Sequence, residues 1–363
     1  MKKLFIRTAA TLLAAVLLHP CTASAISAQK AIVMDATTGR ILYEKDANSR
    51  SLIASTTKIM TALIICEQCN VLDRVRIPKE AVGIEGSSMY LKEGEIFTLQ
   101  DLLYGMMLHS GNDAAVALAI FCAGTVEGFA QLMNDKCRTL GMTESHFENP
   151  HGLDSPGHYS TARDLAVLTA YAMENPIFVQ TVSTKTVLVG QRSLRNHNKL
   201  LWQIDGADGV KTGYTKAAGR ILVSSAVRQG RRLIAVTIND GNDWVDHKTL
   251  LEDGFTRYHL EQIVQKGQIL GELTIFGGEA QKVQVLAAED FSYALAQGEK
   301  AEIVLSGPGF VYAPVNCGDN AGVAYICLGQ KVVGKVPIVY ENSVQQTPSE
   351  RISLWRWLFG GKK

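Results

Sequence analysis

No internal stretch of eighteen apolar residues occurs in the 363-residue chain, which excludes a polytopic bundle of membrane helices. Charge in excess is also missing. Lys plus Arg number 36 against 35 Asp plus Glu, a net +1, so there is neither a basic footprint for nucleic acid nor an acidic tail. Only 9 prolines accompany 32 glycines, and the 47% hydrophobic content is ordinary for a globular protein, which removes collagen-like and disordered classes. Cysteines are few and scattered. Cys66 and Cys69 lie three apart with no His or second Cys pair nearby to complete a zinc site, and Cys122 and Cys137 read as small core hydrophobes. No metal and no cofactor is assigned. Cys317 and Cys327 flank the turn-rich Gly318-Asp319-Asn320-Ala321-Gly322 and could face each other across a hairpin, which would allow one disulfide; the sequence leaves the pairing open.

What is present divides the chain, whose length exceeds what one core usually fills. Lys2, Lys3 and Arg7, the short apolar run Thr8 to Leu18 and then Ala23-Ser24-Ala25 read as an export signal over residues 1–25, cleaved after Ala25. The run is too short for a comfortable transmembrane anchor. Residues 26–264 read as an α/β body, strands first, helices in the middle, strands again. The early strands are Ala31 to Asp35 and Ile41 to Glu44. A helix starts near Ser55, and Thr98 with Asp101 and Thr161 with Asp164 cap two others. The hairpin Arg220 to Val227 and Leu233 to Ile238 returns the chain to the sheet. Residues 265–342 carry short, turn-bounded apolar runs and read as a small all-β domain. Residues 343–363 read as a linker and an amphipathic helix, with Ile352, Leu354, Trp355, Leu358 and Phe359 on one broad face. Such a helix is too short to span a bilayer but suits the headgroup boundary; docking on its own domain is the other reading.

Three short motifs carry the chemistry. Ser55-Thr56-Thr57-Lys58 places a hydroxyl and an amine one helical turn apart, the arrangement in which a lysine of lowered pKa activates a serine. Ser110-Gly111-Asn112, between two predicted helices, offers a proton-relaying hydroxyl and an orienting amide. Lys211-Thr212-Gly213, on a strand, offers a grip for a carboxylate and a glycine that lets a substrate backbone approach. Each motif alone has a plain structural explanation as a cap, a turn or an edge strand. Their joint order is what points to catalysis. His151, in His-Gly-Leu-Asp, reads as a loop residue and not as a base.

In this order the motifs resemble those of β-lactamases and penicillin-binding proteins. The chain is similar to the low-molecular-mass penicillin-binding proteins, serine-type D-alanyl-D-alanine carboxypeptidases. The likeness covers nearly the whole mature chain, and also takes in His109 to Asp113, His151 to Asp154, Asn196-His197-Asn198, Leu200 to Trp202 and Asp208 to Gly213. It implies a β-lactamase-like antiparallel sheet with a helical subdomain, plus the small β domain and membrane-seated tail. It implies Ser55, Lys58, Ser110 and Asn112 as catalytic residues and Lys211, Thr212 and Gly213 as substrate-binding residues. The implied partners are a peptidoglycan stem pentapeptide, β-lactams as inhibitors and the outer face of the cytoplasmic membrane. Tyr214 stands where some relatives carry His, a departure that bears on deacylation rate or pH preference. A β-lactamase would need a Glu-x-x-x-Asn segment after the middle motif, and none is found. Cross-link endopeptidase action and a silent wall-binding scaffold remain alternatives on the same fold.

Overall fold

The computed structural model describes residues 26–348. The segments expected as an export signal, residues 1–25, and as an amphipathic helix, from Ser349 onward, lie outside the described residues.

A five-stranded antiparallel sheet forms the body, in the order Ile41–Lys45, Lys30–Asp35, Arg231–Ile238, Gly219–Arg228, Ala207–Thr215. The strands are not alternately apolar because both faces are covered. Ile32, Ile221, Val223, Ile234 and Val236 join the main core with the helical half, while Val33, Leu222, Ala226 and Leu233 meet Leu250 and Leu251 of the helix Asp243–Arg257. Ala207–Thr215 ends the sheet, so one side of its backbone is left for another partner.

The helical half surrounds Lys58–Gln68, which is buried on every side from Lys58 to Cys66 instead of on one stripe. The expected helix start at Ser55 resolves into a tight 3-10 turn, Ala54–Thr57, before the α-helix proper. Thr98 and Asp101 form the reciprocal capping box, and the Thr161 hydroxyl accepts from the Asp164 N–H.

The second unit has its own core, built from Val264, Val285, Ala324, Ile326, Val336 and Ile338 among others. Its six-stranded sheet runs Ala301–Ser306, Asn320–Leu328, Lys331–Tyr340, Lys282–Ala287, Ile269–Phe276, Phe310–Tyr312. The strand Tyr258–Val264 forms a separate two-stranded sheet with Phe291–Ala296 and sends Val264 into this second core, beginning seven residues before the composition changes at Gln265. Two arginines tie the units together. Arg40 donates to Glu299 at 2.6 and 2.8 Å and to the Ala294 carbonyl, and Arg231, paired with buried Asp35, donates to the Tyr258 carbonyl.

The cysteine expectation is corrected. Cys317 and Cys327 are both free thiols. They do not face each other across a hairpin, because Cys317 sits in the turn before Asn320–Leu328, against the Glu341 carbonyl, while Cys327 lies near that strand's far end. Seven residues of extended chain separate Asn320 from Cys327, about 23 Å at strand rise.

Candidate active site

Ser55 sits on a turn that the chain would not adopt unaided. Ala54 before it has φ +44°, a left-handed conformation that costs a residue with a side chain energy and is held by its surroundings. The loop Pro150–Gly152 provides part of that hold. Gly152 has φ +89°, and a Cβ there would lie 1.8 Å from the Ala54 carbonyl oxygen, so only glycine fits. The Thr61 hydroxyl donates to the Pro150 carbonyl at 2.7 Å and pins the same loop from the helix behind.

Lys58 is fully buried one turn beyond Ser55. Its Nζ lies 3.0 Å from Ser55 Oγ, 2.7 Å from Asn112 Oδ1 and 2.6 Å from the His151 carbonyl oxygen. Burial, and then the nearby charge of Lys211, hold its pKa well below the ordinary lysine value, with a smaller opposing pull from Asp113. Asn112 is oriented by its own donor group, since Nδ2 donates to the Glu85 carbonyl at 2.5 Å and so turns Oδ1 toward the lysine.

The middle motif folds as a sharp reversal between the helices Leu99–Leu108 and Asn112–Ala123. Ser110, at its apex, has φ +63° and lines the groove beside Ser55. Asp113, which composition alone did not single out, locks the opposite rim. Its carboxylate accepts from the Ser88 hydroxyl at 2.6 Å and from the Met89 and Leu91 N–H groups at 2.9 and 3.0 Å.

Lys211, Thr212 and Gly213 lie on the edge strand, which Asn198 braces by donating to the Gly209 carbonyl at 2.7 Å. Lys211 is buried behind the groove wall, its Nζ 3.0 Å from the Thr212 carbonyl, and burial lowers its pKa to about 7. Gly213 lines the groove and also faces the serine turn. A Cβ there would stand 3.2 Å from the Ile53 carbonyl and 3.3 Å from Ser55 N, so the glycine lets the strand seat against the serine turn. The open groove of about 310 Å³ is lined by Ser55, Ser87, Ser110, Thr212, Gly213 and Tyr214, with His197, Arg220 and Trp244 at its ends.

His151 is no base. Its Nδ1 accepts the Leu153 N–H at 3.1 Å, burial pushes its pKa down to about 3, and its backbone carbonyl is the group that faces Lys58. Pro150 and Gly152 mark this stretch as a loop in the sequence but do not show that the His151 carbonyl faces Lys58. Arg220, held by buried Asp243 at 2.7 Å, gave no motif signal at all.

The three motifs thus converge on one groove. The sequence profile of the family described as D-alanyl-D-alanine carboxypeptidase, peptidase S11, matches residues 18–242. The chain belongs to the D-alanyl-D-alanine carboxypeptidase family. It is accordingly a hydrolase of the serine peptidase S11 type. The profile of the penicillin-binding protein 5 C-terminal domain matches residues 258–346 and begins at the same tyrosine as the first strand of the second unit. A D-alanyl-D-alanine carboxypeptidase DacD of Salmonella typhimurium is 34% identical over 341 residues, covering 88% of this chain and 87% of that protein. The crystal structure of penicillin-binding protein 5 from Haemophilus influenzae is similar with a TM-score of 0.78 at 30% identity, over 88% of this chain and 98% of that one. Penicillin-binding protein D2 of Listeria monocytogenes, solved in its ampicillin-bound form, is similar over 64% of this chain and 99% of that one, with TM-score 0.59 at 30% identity.

Proposed function

We propose that this carboxypeptidase removes the terminal D-alanine from peptidoglycan stem peptides through an acyl-enzyme on Ser55, and that penicillin acylates the same serine. The observation that carries the reading is the set of partners around Lys58. Two of the three, the Asn112 amide oxygen and the His151 carbonyl, can only accept, whereas the Ser55 hydroxyl can also donate. A neutral Lys58 therefore spends its two N–H bonds on the obligate acceptors and turns its lone pair to Ser55.

In this mechanism Ser55 Oγ attacks the carbonyl between the last two D-alanines as its proton passes to Lys58. The oxyanion is held by the Ser55 N–H and an N–H of the edge strand after Lys211. Ser110 relays the proton to the departing amine, the C–N bond breaks, and D-alanine leaves. Water then attacks the ester, with Lys58 again taking a proton, and frees Ser55. The unpaired side of the edge strand receives the peptide as an added strand, and Thr212 with Lys211 behind it holds the terminal carboxylate. Export through residues 1–25 and seating on the outer face of the cytoplasmic membrane through residues 343–363 place the enzyme beside this substrate.

The test is D-alanine release from a peptide ending in D-Ala-D-Ala, comparing the wild type with Ser55→Ala. Release lost with Ser55 supports the reading. Well-folded wild type that releases none, but cleaves cross-linked peptides or turns over penicillin rapidly, moves the activity to endopeptidase or β-lactamase.

A further inference from the structure

On the small β domain, three aromatic rings stand in solvent at one sheet edge. Phe276, Phe310 and Tyr312 are 49%, 48% and 70% exposed, values that a domain free to bury them would not leave on three neighbours at once. They hold one another edge-on, with ring centroids 5.3 Å apart for Phe276 and Phe310 and 5.6 Å for Phe310 and Tyr312. The parallel pairing of Ile269–Phe276 with the edge strand Phe310–Tyr312 sets Phe276 opposite Tyr312. Val311, between the two outward rings, packs on the domain core.

The chain leaves the domain at the same place. Gln346 bridges to Gly278, and the Thr347 N–H donates to the Gly277 carbonyl at 2.9 Å, one residue from Phe276. Beyond lies the stretch Arg351 to Phe359 with Trp355 and Trp357. At about 3.5 Å per extended residue, the four steps from Thr347 to Arg351 reach no more than about 14 Å. Once that stretch lies in a headgroup layer, the aromatic edge is tethered within the same short distance of it. Aromatic rings are favoured at that boundary.

We propose that Phe276, Phe310 and Tyr312 form a second contact with the lipid surface, seated beside the C-terminal tail, so that the β domain stands on the membrane by this edge. The inference rests on the reading of the tail as an interfacial helix. Basic Arg351, Arg356, Lys362 and Lys363 would draw the same end to anionic lipid.

Co-sedimentation of the chain 26–363 with phosphatidylethanolamine–phosphatidylglycerol vesicles tests it. The proteins compared are wild type, a Phe276→Ser, Phe310→Ser, Tyr312→Ser triple variant, and a chain ending at Thr347. The triple variant is expected to partition about tenfold more weakly with its tail intact, since binding scales with buried apolar area. Its D-alanine release and thermal transition should match wild type, which separates the effect from misfolding. Equal partition of triple variant and wild type overturns the aromatic contact while leaving the tail reading intact. Wild type that does not sediment with vesicles overturns both. Loss of binding to insoluble peptidoglycan with unchanged vesicle binding would give the rings to a glycan strand instead and overturn the proposal.

Discussion

A lysine ammonium has three donors, and Lys58 meets three oxygens, so hydrogen-bond geometry alone would favour its charged form. Burial and the charge of Lys211 work the other way and win. Lys211 therefore acts on Lys58 as a like charge wherever it is itself protonated. With Lys211→Met the like charge is gone, the Lys58 pKa rises, and the alkaline shift appears in the ascending limb of penicillin acylation against pH. A series of acylation rates from about pH 6 to 10 reads this directly. A limb that stays in place or moves to lower pH would contradict the coupling. That Ser55, Lys58, Ser110 and Asn112 belong near one another was legible because the order of their motifs is distinctive. The protonation argument was not, because it depends on a backbone carbonyl from position 151, and backbone groups leave no mark in a sequence.

At the scale of elements, the groove is assembled from turns under constraint. Ala54, Ser110 and Gly152 all have positive φ, and the 3-10 turn at Ser55 is clamped between the Gly152 loop and Gly213 of the edge strand. Gly152→Ala should therefore be severe. Its Cβ cannot coexist with the Ala54 carbonyl, so the loop must move and carry the His151 carbonyl away from Lys58. Acylation is expected to fall by about 100-fold or more, with a stability loss of about 2 kcal/mol or more. Wild-type acylation rates and melting temperature in this variant would show that the clamp is unnecessary. The caps at Thr98 and Thr161 were readable because a hydroxyl followed three residues on by a carboxylate has one local use. The strand Tyr258–Val264 was not, since Tyr-His-Leu-Glu-Gln-Ile-Val follows a helix with no turn residue between and is defined only by its partner Phe291–Ala296. That Gly213 seats the edge strand against the serine turn could be learned only from what packs there.

For the whole molecule, buried histidines set a limit on acid tolerance. His247 bridges Ser224 and Thr237 between the helix Asp243–Arg257 and the sheet, and burial depresses its pKa to about 3. His158, held against Thr57 at 2.7 Å, is depressed to about 4, also by burial. In the unfolded chain both titrate at about 6.5. Below that value the unfolded state binds protons that the folded state refuses, so stability present at neutral pH is lost as pH falls from about 6.5 toward 4, at up to about 1.4 kcal/mol per pH unit for each group. Thermal unfolding midpoints across this range should drop steeply. His247→Gln, less stable at pH 7, should show a shallower decline, and an unchanged slope would remove His247 from the account. The change of texture near Gln265 was visible in the sequence, seven residues after the strand Tyr258–Val264 begins. The fastening of the units by Arg40 and Arg231 was not, because each arginine pairs with a partner far away in sequence.

The proposed mechanism requires Ser55 to form the covalent intermediate. Mass spectrometry of the protein after brief exposure to benzylpenicillin tests it most directly. The account predicts a single adduct with the mass of the intact penicillin, on the peptide that contains Ser55, persisting for minutes and absent from Ser55→Ala. An adduct elsewhere, an adduct that survives Ser55→Ala, or none on folded wild type would contradict it.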